Sequence, residues 1–245
     1  MGKYSGYLIC TDLDGTFVDD RGELIEKNLK AAEEYMKEGG LFTVATGRTG
    51  SYIREHYKGR IKINTYLVCL NGTMIYDTEK EEIVYSNVMK KDKMDGVKEY
   101  VDGCLCAYIY TANNLYHKIE DVPVDADIYK IVFVYENEEK CLEMLCKMKE
   151  KYGEDFDFNR SYKEFLEMEN KGSGKGDAIR QMRTLLGENA KKVVCFGDFE
   201  NDLTMIEEAD IGVAVGNALP SLKEIADKVT VSNNEGAIAR IINEL

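Results

Sequence analysis

Histidine is scarce in this sequence, and long apolar runs are missing. The chain has two histidines among 245 residues, which disfavours a zinc site built from imidazole ligands. No stretch approaches the roughly 18 consecutive apolar residues of a membrane-spanning helix. The segment MGKYSGYLIC has neither the apolar core nor the cleavage site of a signal peptide. These features predict a cytoplasmic protein.

Basic residues are fewer than acidic residues, which makes some classes of binding partner less expected. Lys and Arg number 32 against 45 Asp and Glu, a formal net charge of −13. An acidic chain is repelled by nucleic acid and by anionic membranes, so neither is an expected partner. The seven cysteines have no usual zinc spacing, and we expect reduced, mostly buried thiols.

Strand-like and helix-like segments alternate at both ends of the chain. YLICT, LFTVA and YLVCL are apolar runs separated by helical patterns, and the alternation returns from VVCFG onward. Such an order predicts parallel strands joined by right-handed crossovers. We therefore predict an α/β fold, in which residues 1–88 and 169–245 form one Rossmann-like, doubly wound parallel sheet.

The middle of the chain, residues 89–168, has a different pattern. Helical signals at KKDKMDGVKEYV and EEKCLEMLCKMKEKY stand among short strand-like segments with tight turns. This composition predicts an inserted α+β domain with an antiparallel sheet. Two chain crossings would join it to the core, and such a unit can hinge.

The stretch YLICTDLDGTFVDD places two carboxylates one residue apart after an apolar run. Alternation along a strand would put Asp12 and Asp14 on the same face. Like charges that close repel, and each holds its proton longer. A bound cation would offset that repulsion.

Polar residues follow the ends of several predicted strands. The carboxyl ends of parallel strands meet where open α/β sheets bind their ligands. Two of these groups are acidic, and repulsion among Asp12, Asp14 and Asp198 predicts a divalent cation held by oxygen ligands, with Mg²⁺ fitting best. The residues are Asp12 and Asp14, then Thr46, Gly47 and Arg48, then Asn71, then Asp198, Asn201 and Asp202, together with Lys175 in a glycine-rich turn.

Other interpretations of these motifs fit less well. DLDGTFVDDRGE resembles a calcium loop, but Phe17 stands where that loop needs glycine. GSGKGD resembles a P-loop, but Gly176 replaces the Ser or Thr that would hold Mg²⁺. Asp19 and Asp20 fit a solvated turn. Asp202 is either a metal ligand or an acid that stabilises the first turn of its helix.

Four motifs in this order resemble those of the haloacid dehalogenase superfamily: DLDGT, ATGR, the lysine of GSGKGDAI, and GDFENDLTMI. The later segment IGVAVGNALPSLKEIADKVTVSNNEGAIARII is similar to the Cof-type sugar-phosphatase branch. In that branch a cap domain lies between the second and third motifs, where the α+β insertion falls here.

The resemblance implies a role for each motif. Asp12 would be the nucleophile that forms an aspartyl-phosphate, and Asp14 would be the acid and then the base. Repulsion between the two would help to separate their pKa values, while Mg²⁺ keeps Asp12 charged. Asp12, the backbone carbonyl of Asp14, Asp198 and in one interpretation Asp202 would hold the metal. Phosphate would be bound by Leu13, Thr46, Gly47, Lys175 and Asn201, and the rest of the substrate by Arg48 and Asn71.

The predicted function is therefore an Mg²⁺-dependent phosphatase that acts on a small phosphorylated metabolite, sugar phosphates foremost. A phosphomutase or phosphotransferase with the same nucleophile is the first alternative, and a non-catalytic phosphometabolite-binding protein is the second. The sequence names neither the metabolite nor the oligomeric state. Polar candidates for specificity in the cap, each expected to be an ordinary surface side chain, are His117, Lys118, Lys130, Arg160 and Tyr162.

Overall fold

The structure is a computed structural model that describes residues 2–94, 96–112 and 114–245. The chain divides into two compact units, the first made of Met1–Tyr85 and Lys175–Leu245 and the second of Ser86–Gly174. The second unit starts before the predicted boundary at residue 89. It also ends beyond residue 168, because its last strand continues to Asn170.

The first segment of the chain alternates strands and helices before it enters a small antiparallel sheet. Its elements are β1 (Tyr7–Thr11), α1 (Glu26–Lys37), β2 (Leu41–Val44), α2 (Gly50–His56), β3 (Tyr66–Cys69), β4 (Met74–Asp77) and β5 (Glu82–Ser86). β1 and β2 are parallel. β3 lies beside β2 through a bridge between Ala45 and Val68, and β3, β4 and β5 form a three-stranded sheet.

The second unit is an antiparallel sheet with helices on one face. Its elements are β6 (Met89–Lys90), α3 (Val97–Gly103), β7 (Cys106–Thr111), β8 (Leu115–Tyr116), β9 (Asp127–Val134), α4 (Glu138–Tyr152), β10 (Phe156–Tyr162) and β11 (Phe165–Asn170). The strand order is β10-β11-β9-β7-β8, and β6 pairs with β9. Val101 of α3 and Met148 of α4 share an apolar cluster with Ile131 and Phe133 of β9, so the core lies between helices and sheet.

Helix prediction in this unit was right for one segment and wrong for part of the other. α4 covers the predicted EEKCLEMLCKMKEKY segment. The segment from Lys90 to Val101 is not one helix, because a 3₁₀ turn at Lys91–Lys93 precedes α3. Gly96 has φ +81°, a conformation that a right-handed helix does not contain. Asp95, which the prediction also included, lies outside the described residues.

Two of the predicted surface residues of the cap are buried instead. Lys130 donates to Glu167 at 3.1 Å, and Ser161 donates to the same carboxylate oxygen at 2.7 Å. Arg160 is also buried and donates to Glu138 at 3.1 Å. An ionic partner within the same unit makes such burial tolerable. The other candidates are exposed: His117, Lys118 and Tyr162.

The chain then returns to the first unit. Its last elements are α5 (Lys175–Leu186), β12 (Lys192–Gly197), α6 (Leu203–Glu208), β13 (Ile211–Ala214), α7 (Pro220–Ile225), β14 (Lys228–Val229) and α8 (Ala237–Ile242). Cys10, Cys69 and Cys195 are buried in strands, as expected, whereas Cys146 on α4 is exposed. Among the helices that the structure describes, none combines the length and the apolar composition required to cross a membrane.

The main sheet has the order β14-β13-β12-β1-β2, with parallel neighbours throughout. From β1 the chain moves outward to β2, whereas from β12 it moves in the opposite direction to β13 and β14. Right-handed crossovers in opposite directions place helices on opposite faces, and a crevice opens where the direction changes. The predicted doubly wound parallel fold is confirmed, and its switch point lies at the carboxyl ends of β1 and β12.

Candidate active site

The turn after β1 separates the two aspartates that the sequence places one residue apart. β1 ends at Thr11, and the chain enters a tight helical turn at Leu13–Phe17 that contains Gly15 at φ +80°. Because the strand has already ended, the predicted common face of Asp12 and Asp14 is wrong. Asp12 is 6% exposed, whereas the side chain of Asp14 is 46% exposed.

A buried ammonium group lies between two buried carboxylates at this edge. Lys175 Nζ donates to Asp12 Oδ1 at 2.5 Å and to Asp202 Oδ1 at 2.6 Å. Lys175 is the first residue of α5, so the helix start brings its side chain to the end of β1. Charge-assisted hydrogen bonds this short are among the strong ones in proteins.

The second oxygen of Asp202 organises the loop after β12. It accepts hydrogen bonds from the backbone amides of Asp198 at 2.9 Å and Phe199 at 3.2 Å. Thr16 then donates its hydroxyl to Asp198 Oδ1 at 3.0 Å. Sequence reasoning assigned no role to Thr16, although it lies in the DLDGT motif. One oxygen of Asp202 therefore accepts a hydrogen bond from Lys175, and the other accepts hydrogen bonds from the loop.

The acidic cluster holds three carboxyl groups beside one ammonium group. Burial raises the pKa of the Asp12 carboxyl well above its usual value, Lys175 opposes that rise, and Asp202 and Asp198 add to it. Burial, together with Asp202, raises the pKa of Asp198 to about 7. Burial alone would lower the pKa of Lys175, but Asp12 and Asp202 raise it well above its usual value.

These residues fit a divalent cation. Carboxylate oxygens of Asp12, Asp198 and Asp202 lie within 4.8 Å of one another. Three carboxylates against the single ammonium of Lys175 leave two negative charges, which one divalent cation would neutralise. Oxygen ligands of this kind suit Mg²⁺.

Asp14 pairs with a cation of its own. Arg48 Nε donates to Asp14 Oδ2 at 3.0 Å, and the guanidinium lies over the ring of Tyr52 at 4.8 Å from its centroid. Sequence reasoning did not single out Tyr52. Burial, Lys175, Asp202 and Asp198 are the main influences on the pKa of Asp12, and the predicted effect of Asp14 on that pKa stays a prediction.

The remaining predicted residues surround the same strand ends. Thr46 is buried, and its hydroxyl accepts a hydrogen bond from the Arg48 amide at 3.1 Å. The Asn71 amide donates to the Thr46 carbonyl at 2.9 Å, which brings the end of β3 to the end of β2. Asn201 Nδ2 donates to Asn71 Oδ1 at 3.3 Å. Gly47 follows Thr46 in the same loop.

The sequence profile of the haloacid dehalogenase-like hydrolases matches residues 9–122 and 110–242. The chain belongs to this family. Among its relatives are two Bacillus subtilis proteins. The 5-amino-6-(5-phospho-D-ribitylamino)uracil phosphatase YcsE is 29% identical over 240 residues, covering 96% of this chain and 94% of YcsE. The phosphatase YwpJ is 25% identical over 286 residues, covering 97% of this chain and 99% of YwpJ.

Solved structures show the same fold. A haloacid dehalogenase-like hydrolase from B. subtilis superposes with a TM-score of 0.85 at 22% identity and covers 97% of this chain and 99% of its own. The subclass IIB sugar phosphatase BT4131 gives 0.79 at 20% identity, covering 97% and 98%. The predicted resemblance to Cof-type haloacid dehalogenase-like hydrolases is confirmed, and so is the predicted enzyme class, a phosphatase.

A substitution at Gly176 tests whether this haloacid dehalogenase-like hydrolase needs close packing of α5 against α6. A Cβ at Gly176 would lie 2.5 Å from the carbonyl oxygen of Thr204. We expect Gly176→Ala to destabilise the protein by about 1–3 kcal/mol, as overpacking does, and to displace the adjacent Lys175. Urea unfolding checks the stability. The control is Gly103→Ala, where nothing lies within 4 Å, and equal stability of the two variants would contradict the prediction.

Proposed function

We propose that this protein is an Mg²⁺-dependent phosphatase that hydrolyses small phosphorylated metabolites through an aspartyl-phosphate. The observation that carries the proposal is the buried Asp12, hydrogen-bonded to Lys175 beside Asp198 at the switch point of the sheet. A carboxylate placed against fixed positive charge, with a second acid two positions along the chain, suits attack on phosphorus.

In the first half of the reaction, a carboxylate oxygen of Asp12 attacks phosphorus, and the bond from phosphorus to the ester oxygen breaks. Asp14 gives its proton to the departing oxygen, so an alcohol leaves. The exposed position of Asp14 suits this role, because a leaving group must depart toward solvent. Arg48 holds the Asp14 carboxyl in place.

In the second half, water attacks the phosphorus of the aspartyl-phosphate, and the bond between phosphorus and the Asp12 oxygen breaks. Asp14 takes the proton from water and is thereby ready to act again as an acid. The products are inorganic phosphate and the restored Asp12 carboxylate. Lys175 stays within hydrogen-bond distance of Asp12 and steadies the negative charge on the transferring group.

Asp12, Asp198 and the backbone carbonyl of Asp14 would hold the magnesium ion. When bound, it neutralises the charge of the phosphate and of the carboxylates. We place Asp202 outside the direct ligands, because both of its oxygens already accept hydrogen bonds from Lys175 and from backbone amides. It then orients Lys175 and the loop that carries Asp198.

The phosphoryl oxygens would be bound by donors from several strand ends. We propose this role for the side chains of Thr46, Lys175 and Asn201 and for the amides of Leu13 and Gly47. Asn201 and Asn71 already share a hydrogen bond, so Asn71 would position Asn201 as well as contact substrate. An acidic protein needs such a local cluster of donors to bind an anion.

We propose that the second unit acts as a cap over small substrates. Its insertion after β5 and before α5 gives it two connections to the first unit, and such a unit can close over a ligand. The relative YcsE is named for a phosphorylated ribityl compound, which favours sugar phosphates and related polyol phosphates. The cytoplasmic location stays a prediction.

The nucleophile is tested by Asp12→Asn. An amide does not attack phosphorus, so we expect turnover of 4-nitrophenyl phosphate to fall to background while the far-ultraviolet circular dichroism stays unchanged. Acid-quenched wild-type reactions should contain a phosphorylated peptide that includes Asp12, detected by mass spectrometry. Asp102→Asn, an exposed change on α3, is the control and should keep full activity. Phosphate release by the Asp12 variant would sink the covalent mechanism.

Metal dependence is tested with a chelator and with Asp198→Asn. We expect excess chelator to abolish activity and Mg²⁺ to restore it. We expect the variant to need at least about 10-fold more Mg²⁺, because even the hydrogen-bond partners of metal ligands contribute that much to affinity. Mg²⁺ should also raise the melting temperature of the wild type but not of the variant at the same concentration, because ligand binding stabilises the folded state. Full activity in excess chelator would refute the metal site.

The substrate class is tested with a panel of phosphate esters. We expect kcat/KM to be higher for pentose and hexose phosphates than for a phosphopeptide, because a closing cap leaves room only for small esters. Inorganic phosphate and the free alcohol should form in equal amounts. Preference for the phosphopeptide would contradict the cap assignment, and transfer of the phosphoryl group to a second sugar would indicate a phosphotransferase.

A further inference from the structure

Three asparagine side chains hold the backbone of the turn that carries Asp14. Each directs its amide nitrogen at a carbonyl oxygen of the turn or of the residue after it. None of the three belongs to the turn itself, and two come from the C-terminal part of the chain. The pairs are Asn217 with the carbonyl of Gly15 at 2.8 Å, Asn28 with that of Phe17 at 3.0 Å, and Asn233 with that of Val18 at 3.1 Å.

The orientation of two of these amide groups is fixed by their second partner. The Oδ1 of Asn28 accepts the backbone N–H of Ala239 at 3.1 Å, and the Oδ1 of Asn217 accepts that of Asn233 at 2.9 Å. A backbone N–H only donates, so oxygen must face it. The amide nitrogen of each side chain therefore faces the turn.

The turn needs such donors because it does not continue as a helix. Carbonyl groups at the end of a helical turn have no amide partner within that turn. Phe17 and Val18 are buried, so water does not serve as their partner. Side-chain amides supply the missing donors and tie the turn to α1 and to the segments around Asn217 and Asn233.

The hairpin that follows the turn is held by the same C-terminal segment. Asn233 and Asn234 donate to the two oxygens of Asp20 at 3.0 and 2.9 Å, and the amide of Asp20 donates to Asn234 at 3.2 Å. These hydrogen bonds lower the pKa of Asp20. Asp20 is exposed and lies in a turn, as expected, and these contacts also tie that turn to the C-terminal segment.

Asn217 holds the part of the turn next to Asp14, the proposed acid. The carbonyl of Gly15 belongs to the same peptide group as the amide of Thr16. Asp14 precedes that peptide by one residue, Gly15. Thr16 follows it, and the Thr16 hydroxyl donates to Asp198. Rotation of this peptide would move Asp14 relative to Asp12, because Gly15 at φ +80° offers little resistance to rotation.

We propose that Asn217 is a positioning residue for Asp14. By bridging the Gly15 carbonyl to the Asn233 amide, it fixes the peptide that sets the place of the acid relative to the ester oxygen. The inference rests on the proposed function, in which Asp14 protonates the leaving group. Asn217 is itself exposed, so its substitution leaves the core intact.

The test compares two phosphate esters in Asn217→Ala. Glucose 6-phosphate releases an alkoxide that needs a proton, whereas 4-nitrophenyl phosphate releases an anion that does not. We expect kcat/KM for glucose 6-phosphate to fall by about tenfold or more and that for 4-nitrophenyl phosphate by less than about threefold. The ratio of kcat/KM for glucose 6-phosphate to kcat/KM for 4-nitrophenyl phosphate therefore falls. Asp14→Asn should lower this ratio further. Asn243→Ala, an exposed change after α8, should leave the ratio at the wild-type value.

Asn217→Asp and hydrogen exchange separate positioning from general disruption. The aspartate keeps the acceptor for the Asn233 amide but loses the donor to Gly15, so its ratio should also shift. Deuterium uptake by a peptide containing Asp14–Val18 should rise in both Asn217 variants, while uptake in α1 stays unchanged.

A wild-type ratio in Asn217→Ala on an active enzyme, or equal loss on both esters, overturns the inference and leaves the proposed function standing. Unchanged exchange in Asp14–Val18 overturns it as well. If the wild-type protein releases phosphate from neither ester, the proposed function has failed instead.

Discussion

The buried ammonium of Lys175 is the interaction on which the site depends. It hydrogen-bonds to Asp12 after β1 and to Asp202 after β12, so one cation joins the two strands on either side of the switch point. Removing Lys175 would leave two buried carboxylates without their cation, which is strongly destabilising. Next to Lys175, α5 packs closely against α6, where a Cβ at Gly176 would lie 2.5 Å from the carbonyl oxygen of Thr204. The residual negative charge of the cluster then favours a divalent cation.

Two carboxylates one residue apart have different surroundings because the chain turns between them. Gly15, with φ +80°, lets the chain turn directly beside Asp198. Asp12 stays at the buried end of β1 and contacts Lys175, whereas Asp14 emerges into an exposed position beside Arg48. A nucleophile benefits from burial against fixed charge, and a proton donor needs access to the departing group. The turn produces both conditions.

The sequence predicted the parts of this structure that depend on local patterns. Apolar runs identified β1 and β12 to within a residue, because strands buried on both faces are continuous in hydrophobicity. Residues at strand ends were predicted to converge, and topology alone requires that. The direction of Asp14, by contrast, depends on a positive φ in the turn. The pairing of Lys130 with Glu167 in the second unit depends on strand register, which no single segment encodes.

The asparagine contacts are a second feature that local sequence patterns do not predict. Asn28, Asn217 and Asn233 are ordinary surface-type residues in sequence, and each gains its role only when α1 and the C-terminal segment come together around the turn. A turn whose carbonyls had no side-chain donors would have to expose them to water or rearrange. The turn is therefore stabilised by the far end of the chain, and the position of Asp14, the proposed acid, depends on the folding of the whole first unit.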